Sequence, residues 1–298
     1  MITIRKPLCF TEIGRKDNQE DYLFPSNADK DTRVFIMCDG MGGHDNGEVA
    51  SKTAAESLGA FLSSCQYIDQ PTFELGLEKA YDALDGIDTN SSKKPGTTMT
   101  CLCLNDDSYL VAHIGDSRIY HIRPSLYKAE ARRGGILYQS SDHSLVNDLL
   151  KSGELTEEEA RDFPAKNVIT RAMQPHLDVH YKADIYLDND IKKGDYFFLC
   201  CDGVLEQLSN EDLCCILSDK KSDDCQKLSQ IKAICDGKTR DNYTCWLIPI
   251  DNVNIRENVS TTEVIHAETE QSPSDKRKPV WRSILAKVLG AKRNLARW

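Results

Sequence analysis

The 298-residue sequence predicts an α+β layered domain, two antiparallel sheets with helices outside them, and three observations predict it. Apolar runs of strand length recur along most of the chain, many of them rich in Val, Ile, Phe, Tyr or Thr and separated by turn residues. Two of the links are three-residue turns, NDD between CLCL and SYLVAHI and GDS between AHI and RIYHI, too short for a crossover helix, so the strands they join are antiparallel neighbours. Two amphipathic stretches follow one another with no strand between them, which sets helices apart from strands instead of alternating with them.

In chain order, the strand-like runs are 7–13, 33–38, 98–104, 108–114, 117–123, 195–201 and 242–250. The first helical stripe carries Ala50, Ala54, Leu58, Phe61 and Leu62; the second carries Phe73, Leu77, Ala80, Tyr81 and Leu84. Further helices are predicted to start at Ser144, at Thr156 and at Ser209. The last two place an N-cap residue three positions before an acid that can return the hydrogen bond. After Ile250 the composition turns polar.

Three boundaries follow: a folded domain over 1–250, an acidic flexible linker over 251–275 and a basic amphipathic helix over 276–298. The linker holds six acids and little apolar periodicity. The last segment holds eight Lys/Arg and no acid, with Trp281, Ile284 or Leu285, Val288 and Leu295 at near-helical spacing. A helix of that kind lies on an anionic membrane surface, docks in a partner's groove or folds back on an acidic body. Removing those eight cations leaves 29 Lys/Arg against 47 Asp/Glu, about −18 for the first 275 residues. Such a body is unsuited to nucleic acid, which needs basic surface, and compatible with gathering hard cations.

No run reaches the roughly 18 to 20 apolar residues of a spanning helix, and the N-terminus lacks the pattern of a signal peptide. The expectation is a soluble, cytoplasmic monomer, peripheral at the membrane where the tail carries it. Twelve cysteines include the adjacent pairs Cys200-Cys201 and Cys214-Cys215, several lie in apolar runs, and none forms a CxxC pair. Reduced buried thiols fit this better than disulfides or a zinc site.

The chemistry is concentrated in aspartates. Asp39 follows VFIMC, Asp116 follows LVAHIG, Asp202 follows YFFLCC and Asp241 precedes NYTCWLIPI, so all four stand at strand ends. Each alone reads as an ordinary turn residue. Together, brought to one rim by stacked sheets, four carboxylates without thiolates or a His pair suit Mg²⁺ or Mn²⁺, and two such ions can activate a water toward phosphorus. Gly40, Gly42 and Gly43 would let backbone carbonyls approach a cation.

Eight ordered segments carry a resemblance over residues 8 to 250: GRKDNQED (14–21), CDGMGGH (38–44), PGTTMT (95–100), IGDSRIY (114–120), SDHSLV (141–146), NVITRAM (167–173), LCCDGV (199–204) and RDNYT (240–244). In this order they resemble the type 2C metal-dependent serine/threonine protein phosphatases, the PPM family, in its bacterial form. The resemblance implies a four-layer αββα sandwich, two antiparallel β-sheets flanked by helix pairs, with two Mn²⁺ or Mg²⁺ ions in a cleft at one end. It implies that Asp39 bridges the ions, that Gly40 gives its carbonyl, that Asp202 and Asp241 complete the pair, and that Asp116 with Asp202 holds a third, weaker ion.

Arg15 matches the family's phosphate-binding arginine. Glu20, with Asp21 behind it, stands where the family usually has Asp, and is assigned ahead of Asp21 as outer ligand. Met41 replaces a histidine of the eukaryotic branch and cannot donate a proton, so protonation of the leaving group falls to water or another group; His44 is a candidate, with a structural role in the turn the favoured reading. Thr97, Thr98, Asp142, His143, Ser144, Thr170 and Arg171 have structural work as turn, cap and strand residues. The segment from Leu149 to Val168 corresponds to the variable flap beside the cleft. The implied activity is dephosphorylation of phosphoserine and phosphothreonine proteins made by a partner kinase. Its rivals are a phosphoprotein-binding pseudoenzyme and a small-molecule phosphomonoesterase.

Overall fold

The computed structural model describes residues 1–41, 47–87, 94–161, 163 and 168–254, all within the unit Met1–Arg256. Gly42, Gly43, His44 and the predicted linker beyond Asn254 and tail helix lie outside them. The strands are β1 (Ile2–Ile4), β2 (Leu8–Glu12), β3 (Asp21–Phe24), β4 (Val34–Met41), β5 (Gly96–Thr97), β6 (Met99–Leu104), β7 (Tyr109–Ile114), β8 (Arg118–Ile122), β9 (Ile136–Gln139), β10 (Asp184–Asp188), β11 (Tyr196–Cys200) and β12 (Tyr243–Val253). The helices are α1 (Gly47–Ser63), α2 (Gln70–Asp85), α3 (Leu145–Lys151), α4 (Glu157–Arg161), α5 (Asp202–Leu205), α6 (Asn210–Ser218) and α7 (Asp224–Cys235).

One sheet runs β1-β12-β11-β8-β9 with β2 on β12; the other runs β10-β7-β6-β4-β3 with β5 on β4. Every paired strand in both is antiparallel. β12 continues to Val253, three residues past the point where the sequence turns polar, and its far end pairs with β1.

The period-2 alternation of side chains builds the layers. In β4, Phe35 and Met37 enter the core between the sheets, while Val34, Ile36 and Cys38 face the outer core under α1 and α2. β6 and β7 divide likewise: Leu102, Leu104, Tyr109 and Val111 point inward and Cys101, Cys103, Leu110 and Ala112 point to the helices. Across the sandwich, Phe35 meets Trp246 edge-on at 5.4 Å, and Trp246 Nε1 donates to the Ile36 carbonyl at 3.3 Å. Leu213, Leu217, Ile231 and Cys235 of α6 and α7 extend the inner core, which makes the fold the predicted αββα sandwich. Both helix stripes read from sequence are the buried faces of α1 and α2, except that Phe61 is only partly buried.

The predicted caps are in place. Ser144 and Ser209 accept from the N–H groups of Asn147 and Asp212, and Thr156 exchanges hydrogen bonds with Glu159. All twelve cysteines are free, with Cys101 and Cys103 Sγ 3.6 Å apart. Among the described residues no helix is long and apolar enough to cross a membrane.

Candidate active site

Alternation along β4 decides where its last carboxylate goes. Phe35 and Met37 face the second sheet, so Asp39, two residues on, emerges on the same side at the mouth of the sandwich. Asp21 is its cross-strand partner on β3 and shares that side. From the facing sheet, Asp202 opens α5 directly after β11, and Asp241 stands just ahead of β12. Asp116 sits in the β7–β8 turn; its three residues do not join antiparallel neighbours as their shortness suggested, because the chain crosses there from one sheet to the other. Asp39 feels the charges of Asp21, Asp202, Asp116 and Asp241 together, which places all five carboxylates on one rim.

Close backbone approaches hold the rim. A Cβ on Gly203 would lie 1.9 Å from the Asn242 carbonyl oxygen, so a glycine is required for α5 to touch the start of β12. Asn242 then ties the 13–20 loop to that strand: its Nδ2 donates to the carbonyls of Ile13 (2.8 Å) and Asn18 (3.0 Å), and its Oδ1 accepts from Glu20 N–H at 2.8 Å. Thr98 Oγ1 accepts from Asp39 N–H at 3.1 Å, and Thr97 Oγ1 donates to the Asp39 carbonyl at 3.0 Å. His143 Nδ1 accepts from Gly115 N–H at 3.1 Å, and the Gly115 carbonyl accepts from His143 N–H at 2.9 Å, which fixes the turn that presents Asp116. These threonines and His143 therefore have the structural work expected of them.

The electrostatics are those of crowded like charges. Burial, reinforced by Asp21 and Asp202, holds the Asp39 carboxyl well above the usual range. Burial also pushes Asp21 up to about 7, and burial with Asp202 and Asp142 pushes Asp116 up to about 7. Asp202 is raised by burial and by Asp241. Both Asp21 oxygens and Asp116 Oδ1 are buried with no partner at close hydrogen-bonding geometry among the described residues, an arrangement that costs free energy unless a cation completes it; Thr244 and Cys201 only temper the rise of Asp21. Cys201 lies with Asp21 and Asp39, the three ligand atoms within 4.8 Å of one another. Burial keeps its thiol well above its ordinary value; the other donors at the rim are carboxylate oxygens, the set that suits Mg²⁺ or Mn²⁺.

Asp39, Asp116, Asp202 and Asp241 thus meet as the sequence predicts, with Gly40 beside Asp39. Gly40 N–H donates to the Glu20 carbonyl at 3.1 Å. Two other positions are placed differently. Glu20 lies just ahead of β3, and its Oε1 stands 2.7 Å from where a Cβ of Gly47, at the start of α1, would be. It is Asp21 that faces Asp39. Arg15 is exposed and its guanidinium donates to the Gly237 carbonyl at 2.9 Å, while Lys16 reaches Asp241. The sequence signal for Asp21 was the pairing register of β3, which only the fold supplies.

Beside the rim a cavity of about 790 Å³ is lined by Asp116, Asp202, Glu206 and Asp241, with Lys238 and Arg240 among its other walls. It is large enough for a side chain and the backbone flanking it.

A family model described as protein phosphatase 2C matches residues 11–219. A putative protein phosphatase 2C-type from Streptococcus pyogenes serotype M6 is 33% identical over 221 residues, 71% of this chain and 84% of that protein. The solved serine/threonine phosphatase Stp1 from Staphylococcus aureus superposes with a TM-score of 0.66 at 27% identity, covering 84% of this chain and 96% of that one. The catalytic domain of the serine/threonine protein phosphatase PstP, solved with two manganese ions, superposes with a TM-score of 0.66 at 22% identity, covering 85% of this chain and all of that one; at that identity the likeness is one of fold.

Proposed function

The chain belongs to the protein phosphatase 2C family, and from that membership and the carboxylate rim we infer that it is a metal-dependent serine/threonine protein phosphatase, a hydrolase of phosphorylated proteins. The observation that carries the reading is the convergence of Asp21, Asp39, Asp116, Asp202 and Asp241 with buried oxygens that lack close hydrogen-bond partners among the described residues. That donor set fits hard divalent cations, in keeping with the two manganese ions of the PstP domain. In this reading Asp39, Asp202, Asp241 and the Gly40 carbonyl hold two Mn²⁺ or Mg²⁺ ions, Asp116 with Asp202 holds a third, and Asp21 takes the outer position assigned from sequence to Glu20. Bound there, the ions supply charge to the phosphate and an activated water.

The chain's own groups do the positioning. Thr97 and Thr98 hold the Asp39 backbone from both sides, Asn242 fixes the 13–20 loop against β12, and the adjoining cavity receives the polypeptide around the phosphoresidue. The substrates on this reading are phosphoproteins of a partner Ser/Thr kinase, met by a cytoplasmic monomer. The charge pattern of residues 276–298 supports a contact with an anionic membrane surface or a partner protein.

The test is hydrolysis of a phosphothreonine peptide with Mn²⁺, with Mg²⁺ and with EDTA, comparing the native chain with Asp202→Asn. We expect turnover that needs metal and falls at least about 100-fold in the variant. A folded native chain that binds the peptide but turns over nothing with either metal would make it a phosphoprotein-binding pseudoenzyme. Turnover of p-nitrophenyl phosphate without the peptide would point to small phosphoesters.

A further inference from the structure

A phosphate dianion approaching five carboxylates needs positive charge from the protein as well as from bound ions, and it needs that charge at the rim. Among the described residues one ion pair reaches the five: Lys16 Nζ lies 2.8 Å from Asp241 Oδ1. The Lys16 side chain remains about half exposed, at 47%, so the ammonium is not sealed into the interior.

Arg15, one residue earlier, has been turned away. Arg15 N–H donates to the Arg240 carbonyl at 3.1 Å and its guanidinium to the Gly237 carbonyl at 2.9 Å, so it closes the loop after α7 and not the rim. The cause is local: Gly14, at φ +65°, packs against the Asp241 carbonyl, where a Cβ would come within 1.9 Å. That contact fixes the direction in which the following side chains leave.

We propose that Lys16, not Arg15, is the protein cation that holds the substrate phosphate, exchanging its bond to Asp241 for phosphate oxygens once divalent ions take over that carboxylate. The proposal rests on the phosphatase reading above. An ammonium on a flexible four-carbon stem suits such an exchange, because its three donors rotate freely, whereas a planar guanidinium grips two oxygens in a fixed orientation. The phosphate is therefore held as a point-charge contact, and orientation is left to the ions and the loop backbone.

Two readouts at saturating Mn²⁺ test this: the KM for a phosphothreonine peptide, and the Kd of inorganic phosphate for the Mn²⁺-loaded chain by calorimetry. Lys16→Ala is expected to raise both about tenfold or more, the size of a lost charged hydrogen bond. Lys16→Arg recovers most of the loss, and Arg15→Ala moves both values less than Lys16→Ala does. If Lys16 only neutralises Asp241, Lys16→Ala shifts the Mn²⁺ titration midpoint and leaves KM and phosphate Kd in place; that result overturns the proposal, as does a larger effect from Arg15→Ala. The phosphate Kd is read even from a chain that turns nothing over, which separates failure here from failure of the phosphatase reading. If Lys16→Ala does not fold, Lys16→Gln carries the same comparison.

Discussion

Asp195 and Asp202 flank the same strand, β11, and their surroundings are opposite. Asp195 is 1% exposed and fully engaged. It accepts from Arg123 Nε and one terminal nitrogen at 2.9 Å, from His121 Nε2 at 2.9 Å and from Lys192 N–H at 2.8 Å. Against burial, which pushes its carboxyl up, these bonds hold it below the usual range. A depressed folded value contributes stability above the ordinary carboxylate pKa and loses it as pH falls through the folded value. Asp195→Asn leaves Arg123 with Asp190 as its remaining carboxylate partner and weakens two charged hydrogen bonds, so unfolding in urea at pH 7 should show a loss of about 2 kcal/mol. The gap to the native chain should narrow below about pH 4, as Asp195 itself protonates. Asp202 at the other end has mostly carboxylates for company, which is why the first residue reads as architecture and the second, on the proposed function, as a metal ligand.

At the scale of elements, Gly203 links α5 to β12. A methyl there meets the Asn242 backbone oxygen and no flexible side chain that could yield, so one element must shift and separate Asp202 from Asp241. Gly203→Ala should cost about 2 kcal/mol of stability and weaken Mn²⁺ binding about tenfold, as read by calorimetry, even though it removes no ligand. Some elements were legible in the sequence and others were not, for physical reasons. β4, β6, β7, β8, β11 and β12 are continuous apolar runs because both their faces are covered, and the aspartates at their ends were legible with them. β3 is four residues long, and β10 is a partly exposed strand at the end of its sheet with an acid at each terminus, so neither has a recognisable run. α7 hides its period because Lys227 occupies a buried position, its Nζ donating to Tyr196 Oη at 3.0 Å and the Leu217 carbonyl at 2.9 Å. Its capping box, Asp223 with Gln226, was the signal available. The choice between Glu20 and Asp21 hung on β3, because its pairing register is what sets Asp21 opposite Asp39.

For the molecule as a whole, the rim draws on both sheets. Asp21 and Asp39 belong to the sheet under α1 and α2; Asp202 and Asp241 border β11 and β12 of the other; Asp116 lies on the turn between them. Without a cation these groups repel across the mouth of the sandwich, and their repulsion opposes the apolar contacts, such as Phe35 on Trp246, that hold the sheets together deeper in. A divalent ion shared between the two sides reverses the sign of that interaction and joins the sheets. Metal should therefore stabilise the whole fold and not the cleft alone. At an ion concentration about 100 times Kd the gain is about 2.7 kcal/mol, or a rise in Tm on the order of 5 to 10 °C for a domain of this size. It should scale with the logarithm of Mn²⁺ concentration and vanish in EDTA. Asp39→Asn combined with Asp202→Asn removes one charge from each side, so in EDTA this variant should melt above the native chain, and in Mn²⁺ it should not respond. A native chain whose Tm is the same in Mn²⁺ and EDTA would show that no cation joins the sheets, however the rim is arranged.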